Sequence, residues 1–363
     1  MERSNFSELK NKNLVAYVNR QREALLQKLY WMQFFGLKAT SQLTWANLSG
    51  TGGAPVMADV VAYNASAPLK TRRTVTKLTG DIPKITLKRQ MDEKDLNDYN
   101  IFKAMANDSM KNELLKLVFD DVKFCYVGVQ ARTEFLCLQG MSYGTIALST
   151  SNNNGFVTET AVDIGIPSGN KTAVGTIWAT AATATPIADI KTVVEAARAA
   201  GHIISNITMD LATFNLLALT TEAKNTFAAF RGYSSSTKQH LMLDDINLYL
   251  RGHLLPPISI VNSAVRHEDL AHAMTNVAPW KSGYVAFNTS KQVGKVLHGP
   301  IAEENNAAIK KVAIMSKKDH VLISKWSTMD PAGEWTKGQA NAFPTFADVD
   351  AMYILKTDAT AWA

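Results

Sequence analysis

The stretch DSMKNELLKLVFDDVKFCYVGVQARTEFLCLQG, residues 108–140, constrains the fold more than any other part of the chain. Leu114, Leu117, Val118, Val122, Cys125, Val129, Phe135 and Leu138 recur at helical spacing, which predicts one long helix with a buried face. Asp108 or Ser109 suits its start and Gly140 its stop. Thirty helical residues make a rod of about 45 Å, against about three turns for an average helix. A rod of that length needs an elongated body to run along, and Gly128 near its middle permits a bend.

The two cysteines, Cys125 and Cys137, lie on this same rod. Twelve residues of helix separate them by roughly 18 Å, far outside disulfide reach. They read as free thiols of a reducing compartment, and no C-x-x-C spacing suggests metal or redox use.

A second feature is KTRRTVTKLTGDIPKITLKR, residues 70–89, which reads as two strands around a turn at Thr79-Gly80-Asp81. Seven of its residues are basic: Lys70, Arg72, Arg73, Lys77, Lys84, Lys88 and Arg89. A lone two-stranded ribbon is marginal in water, so this one needs something to lie against. Charged residues make up 19% of the chain, below the roughly 25% of soluble domains. Either the surface is simply neutral or part of it is covered by protein. The net charge of +6 is mild for 363 residues and does not mark a nucleic-acid binder by itself.

The rest of the chain alternates helical and β-like passages. Residues 1–48 open with helical patterning, carry charges throughout and show no secretory apolar region. No run of about 18 apolar residues predicts a membrane span, and the chain reads as cytosolic in origin. The glycines of NLSGTGGAPV (47–56) lack the spacing and the following Lys-Ser/Thr of a phosphate loop. MDEKDLNDYNIFKAM reads as a short helix, and residues 152–184 as strands and hairpins that include Trp178. Thr185, Pro186 and Gly201 stand in the cap, first-turn and stop positions of a helix between them. HIISNITMD follows as a strand and Asp210 caps the next helix, so this passage is a small α/β unit. INLYLRG and ISIVNS read as strands, and the chain is β-like from about residue 282.

The search for chemistry finds little. His267 and His272 in HEDLAH are spaced i, i+5, which points the two rings about 140° apart on a helix, where a zinc protease needs i, i+4. The adjacent pairs Asp120-Asp121 and Glu303-Glu304 diverge on any regular element and read as solvated faces. G-x-S-x-G is absent, and Trp326, Trp335 and Phe343 read as core. With no catalytic residues, cofactor site or metal site converging, the expectation is a structural or binding protein rather than an enzyme.

Several stretches together resemble the phage lambda-type major capsid protein E family. They are GTIWATAATATPIADIKTVVEAARAAGHIISNITMDLATFNLLAL (175–219), ARTEFLCLQGMSYGTIAL (131–148) with Glu134, Gln139 and Gly144, GDIPKITLKRQMDEKDL, and two closing segments, APWKSGYVAFNTSKQVGKVLHGPIAEE and STMDPAGEWTKGQANAFPTFADVDAMYIL. The resemblance spans most of residues 45–357. It implies an α+β fold of the Hong Kong 97 capsid type. Residues 1–48 would be an N-terminal arm, 49–92 an extended loop, 93–164 a peripheral domain around spine helix 108–140, 165–310 an axial domain, and 311–363 strands returning to the peripheral domain.

By the same resemblance the chain would self-assemble, as pentamers and hexamers, into the icosahedral shell of a tailed bacteriophage. The shell would form in the host cytoplasm and enclose double-stranded DNA by non-specific contact. Portal, scaffolding and decoration proteins would be partners, with no membrane and no cofactor. Lys70, Arg72, Arg73, Lys77, Lys84, Lys88 and Arg89 would then meet a neighbouring subunit, with Asp92, Glu93, Asp95 and Asp98 as charge partners, or else face DNA. Two other readings are the shell of a cellular compartment and a nucleic-acid enzyme that uses the basic hairpin as a clamp.

Overall fold

The computed structural model describes residues 2–3, 17, 19–20, 22–23, 28–49, 76–105, 108–149, 151–153, 161–232, 241–269 and 271–362. The chain divides into two compact units. One comprises 1–45, 80–137 and 295–344, and the other 46–79, 138–294 and 345–363.

The expected long helix is present and runs further than its sequence suggests, over Asp108–Tyr143. Its 36 residues give roughly 54 Å of rod at the usual rise. Gly140 does not stop it. Gly144 does, with φ +76° in the left-handed region that glycine enters freely. Gly140 answers a packing need instead: a Cβ there would stand 2.6 Å from the Phe346 ring. Gly128 likewise makes room for Leu87, whose methyl lies 2.7 Å from where a Cβ would be.

In the first unit a seven-stranded sheet packs on this helix. Its order is Glu2–Arg3, Val321–Met329, Ala332–Phe346, Gly294–His298 and Phe35–Ala39. Ile314–Lys318 also joins Val321–Met329, and Lys84–Met91 joins Ala332–Phe346. Thr336, Gly338, Ala340 and Ala342 alternate onto one buried face. Gly338 sits so close to the helix that a Cβ would meet the Cys125 carbonyl oxygen at 2.5 Å. Opposite it the helix buries Val122, Cys125, Tyr126 and Val129.

The two strands read from residues 70–89 are there, but they do not pair with each other. Thr76–Asp81 pairs with Thr44–Ser49, while Lys84–Met91 runs antiparallel to the C-terminal strand, from Lys84 opposite Asn341 to Met91 opposite Glu334. The chain turns at Ile82-Pro83 rather than at Thr79-Gly80-Asp81. The reason is burial: a two-stranded ribbon alone covers little apolar area, whereas the larger sheet buries Ile85 and Met91.

The second unit holds a five-stranded sheet in the order Ile258–Val261, Asn206–Asp210, Tyr284–Asn288, Tyr353–Lys356, Lys171–Ala173. Ile258–Val261 is parallel to Asn206–Asp210, and Tyr284–Asn288 is antiparallel to both its neighbours. Helices Pro186–Ala199, Leu211–Leu219, Thr221–Arg231 and Leu243–Gly252 pack with it around Trp178, Ile190, Ile207, Met209, Leu217, Leu250 and Phe287.

The α/β passage read from the sequence is thus present, with three differences. INLYLRG is helical, because Ile246, Asn247, Tyr249 and Leu250 are its buried residues and their spacing fits a helix face. Within the described part of 152–184 only Ala161–Asp163 and Lys171–Ala173 are strands, and Trp178 lies in a turn, buried as expected. His267 and Glu268 of HEDLAH lie on a strand, Val265–Glu268, that pairs with Met274–Val277, and the ring Nδ1 of His272 lies 2.8 Å from the Glu268 carboxylate.

Candidate assembly surface

The strand Lys84–Met91 carries three of the seven basic residues singled out above. Its alternation sends Ile85, Leu87, Arg89 and Met91 to one face and Lys84, Thr86, Lys88 and Gln90 to the other. Arg89 is held by its own chain. Its guanidinium donates to Asp120 and Asp121 at 3.2 Å each and lies 4.1 Å from the Phe124 ring centroid. Burial raises the Asp121 pKa, and the nearby cations Lys325 and Arg89 oppose that rise. Lys88 on the other face places its ammonium 4.4 Å over the Trp335 ring. Lys77 and Lys84 are exposed. Lys70, Arg72 and Arg73 lie outside the described residues.

Asp92 and Asp95 have a local task. The Asp95 N–H donates to Asp92 Oδ1 at 2.9 Å and the Asp92 N–H to Asp95 Oδ2 at 3.3 Å. This reciprocal cap starts the helix Glu93–Met105. Glu93 and Asp98 are exposed on its surface.

Other polar residues turn out to be structural. Glu303 and Glu304 are not a solvated pair. Glu303 accepts from Lys337 at 2.8 Å and from Gln339 at 3.2 Å, and Glu304 pairs with Lys317. Glu134 is buried and accepts the Tyr30 and Trp31 N–H groups at 3.1 and 2.7 Å, capping the short helix Trp31–Phe34. Gln139 accepts the Ala147 N–H at 3.0 Å. Sequence reasoning missed Lys325, only 1% exposed, which donates to Thr336 Oγ1 at 3.0 Å with Glu334 at 3.9 Å. The signal was available: Lys325 takes an inward position in an otherwise apolar alternation of Val321, Ile323 and Lys325.

Phe343 is core and stacks on Trp45 at 4.9 Å. Trp326 and Trp335 are not core. They are half-buried on the sheet face opposite the helix, stacked on each other at 6.4 Å. His320 is fully buried against Thr133 at 3.1 Å, and burial, reinforced by His298 and Lys317, lowers its pKa to about 3. Among the described residues no group of three or more metal-ligating side chains comes together, and no helix is long and apolar enough to cross a membrane.

Both units expose large apolar side chains: in the first Met329 is 75% exposed, and in the second three stand out. Ile203 is 81% exposed, Met242 69% and Leu254 95%. Among the described residues, Lys88 and Arg89 are seated on their own chain while Lys77, Lys84 and several large apolar side chains are exposed, an arrangement suited to contact with other protein.

Comparison with known proteins agrees. The family model described as phage major capsid protein E matches residues 12–357. No curated protein matches the chain. Among solved structures, a protein assigned as a prophage capsid protein of E. coli CFT073 is similar over 96% of this chain and 99% of its own, at 15% identity and a TM-score of 0.58. A phage-related protein from Bordetella bronchiseptica RB50 is similar over 96% and 98%, at 11% identity and a TM-score of 0.51. The capsid protein of cyanophage A-1(L) is similar over 91% and 92%, at 8% identity and a TM-score of 0.51. At these identities the likeness is one of fold, the Hong Kong 97 capsid fold.

Proposed function

We propose that this chain, which belongs to the phage major capsid protein E family, closes into the icosahedral shell that encloses the double-stranded DNA of a tailed bacteriophage. Its role is structural, that of a major capsid protein. The single observation that carries the reading is the extent of the family match. Residues 12–357 take in the long helix, the α/β unit with its five-stranded sheet and all of the seven-stranded sheet but its edge strand Glu2–Arg3, so nearly the whole architecture is accounted for by one family of shell proteins.

In this reading the unit built on the long helix and seven-stranded sheet is the peripheral domain, and the α/β unit is the axial domain. Residues 1–48 are an arm whose strands Glu2–Arg3 and Phe35–Ala39 lie in the peripheral sheet, and 49–92 an extended loop whose return strand Lys84–Met91 is anchored in that same sheet. Lys77 and Lys84, with Lys70, Arg72 and Arg73, reach neighbouring subunits. Such exposed charges contribute register and selectivity more than affinity. Pentamers and hexamers are the repeating assemblies. Portal, scaffolding and decoration proteins are the further partners, the host cytoplasm is the place of assembly, and the chain performs no catalysis.

Electron microscopy of the concentrated, purified protein, with sizing and nuclease protection, tests this. Closed particles or rings of five and six support it, and nuclease-protected DNA in particles from infected cells supports the phage assignment. A monodisperse monomer at high concentration overturns it, and closed particles that hold enzymes instead of DNA overturn the phage assignment alone.

A further inference from the structure

The helix Leu243–Gly252 ends in an unusual way. His253 N–H donates to the Tyr249 and Leu250 carbonyls, and the Leu255 N–H reaches back to Leu250 at 2.8 Å. Leu254 occupies the left-handed region at φ 55°. That position at a helix end belongs to glycine or asparagine, because a Cβ crowds the backbone there. The same leucine is 95% exposed, so its side chain adds a hydration penalty to a steric one, and its own unit offsets neither. Local strain of this kind concentrates where a function needs the conformation.

The loop that carries it is held firmly. Asn247 donates to the Ile258 carbonyl at 3.0 Å and accepts the Ile258 N–H at 2.7 Å, tying helix to strand across the turn, and Pro256 is buried. Leu254 is therefore presented on a braced tip, which lowers the ordering cost of a contact. The outward side of the helix has a pattern of its own. Asp244, Leu248 and Arg251, spaced i, i+4, i+7, form one exposed line from acid through apolar to base. Met242 extends the acidic end and Leu254 the basic end, and both are exposed.

We propose that Leu254 and the line Asp244–Leu248–Arg251 form a head-to-tail contact between successive copies of this chain in a ring. The two ends complement each other: Arg251 and Leu254 of one copy meet Asp244 and Met242 of the next. A surface whose ends differ in this way generates rings when the rotation closes. The inference rests on the shell reading, because a ring needs sister copies, and it names the residues that make the contact.

The test uses the full chain. Leu254→Gly removes the side chain at a site that favours glycine, so the unassembled protein should melt at the same temperature as wild type or higher. Its assembled fraction, read by mass photometry and electron microscopy, should fall about tenfold or more, the loss expected from one buried anchor. Leu254→Asp should reduce assembly further. Asp244→Arg and Arg251→Asp should each impair assembly, and the double variant should recover most of it. Leu254→Gly and Leu254→Asp chains that assemble like wild type overturn the contact and leave the shell reading standing. A Leu254→Gly chain that loses assembly only because it melts lower does the same, whereas wild-type assembly that stops at two-fold dimers overturns the contact and counts against the shell reading too. A wild-type chain that never assembles overturns both.

Discussion

The return strand Lys84–Met91 and the helix Leu243–Gly252 exchange the roles their sequences suggest. The strand is crowded with cations and looks like half of a free ribbon. It proves to be sealed into its own unit, with Arg89 clamped by Asp120 and Asp121 and Met91 buried at 5% exposure. The helix contains nothing that draws the eye, yet its ends leave Met242 and Leu254 in water. The lesson is that charge is a poor guide to where a chain is incomplete. Exposed ion pairs contribute about 0–1 kcal/mol whether or not a neighbour is present. An apolar side chain left in water forgoes roughly 1.5–3 kcal/mol that only burial supplies.

The largest effects should come from changes that force the sealed strand's sheet off its helix. Gly338→Val places a branched side chain against the Cys125 carbonyl oxygen, where a Cβ alone already stands at 2.5 Å. It should destabilise the first unit by about 3 kcal/mol or more, seen as a lower melting temperature. Amide protection at Lys84–Met91 should fall while the second unit keeps its own. Equal loss in both units would break the division between them.

A comparable but more local effect is expected at Trp178, fully buried with its Nε1–H donating to Asp189 at 2.9 Å. Trp178→Ala should cost about 3–5 kcal/mol, confined by hydrogen exchange to the second unit.

Acidification should separate the units in the opposite direction. The His320 pKa falls from 6.5 to about 3 on burial. Between those values the unfolded chain binds a proton that the folded chain does not, so stability falls as pH drops below about 6.5 and is unaffected above it. At pH 5 the loss is about 2 kcal/mol in the first unit, and denaturant titrations of wild type and His320→Gln should differ in slope with pH. The same slope in both proteins would assign the pH response elsewhere.

A smaller effect is expected at Glu222, which accepts the Ile187 and Ala188 N–H groups at 2.8 and 3.0 Å and so caps Pro186–Ala199 from a neighbouring helix. Glu222→Ala should lower stability by about 1–2 kcal/mol, by denaturant midpoint. Smallest of all, Lys84→Glu should leave the stability of the unassembled chain, by denaturant midpoint, unchanged to within about 0.5 kcal/mol, while reducing assembly yield.

How legible all this was depended on whether the information is local. The long helix, the cap-and-proline start at Thr185-Pro186 and the Asp210 cap were readable because each is set within a few residues, and Thr213 N–H does donate to Asp210. Even so, the Thr185 side chain makes no capping bond, and Glu222 supplies it from 35 residues away. The partner of Lys84–Met91 lies about 250 residues downstream, so nothing inside residues 70–89 distinguishes a free ribbon from an inserted strand. INLYLRG misled because seven residues fit either period, and the deciding burial of Ile246, Tyr249 and Leu250 is tertiary. Leu254 was invisible for a different reason. A leucine in the left-handed region leaves no mark in composition or pattern.

The most direct measurement compares two methionines by hydroxyl-radical labelling and mass spectrometry, in the unassembled and the assembled protein. Met91, sealed by its own chain, should label weakly in both states, whereas Met242, 69% exposed in the single chain, should lose most of its labelling on assembly. Strong labelling of Met91 in the unassembled chain, or equal labelling of Met242 in both states, would contradict the claim that the strand finds its cover within its own unit and the helix finds it on sister copies.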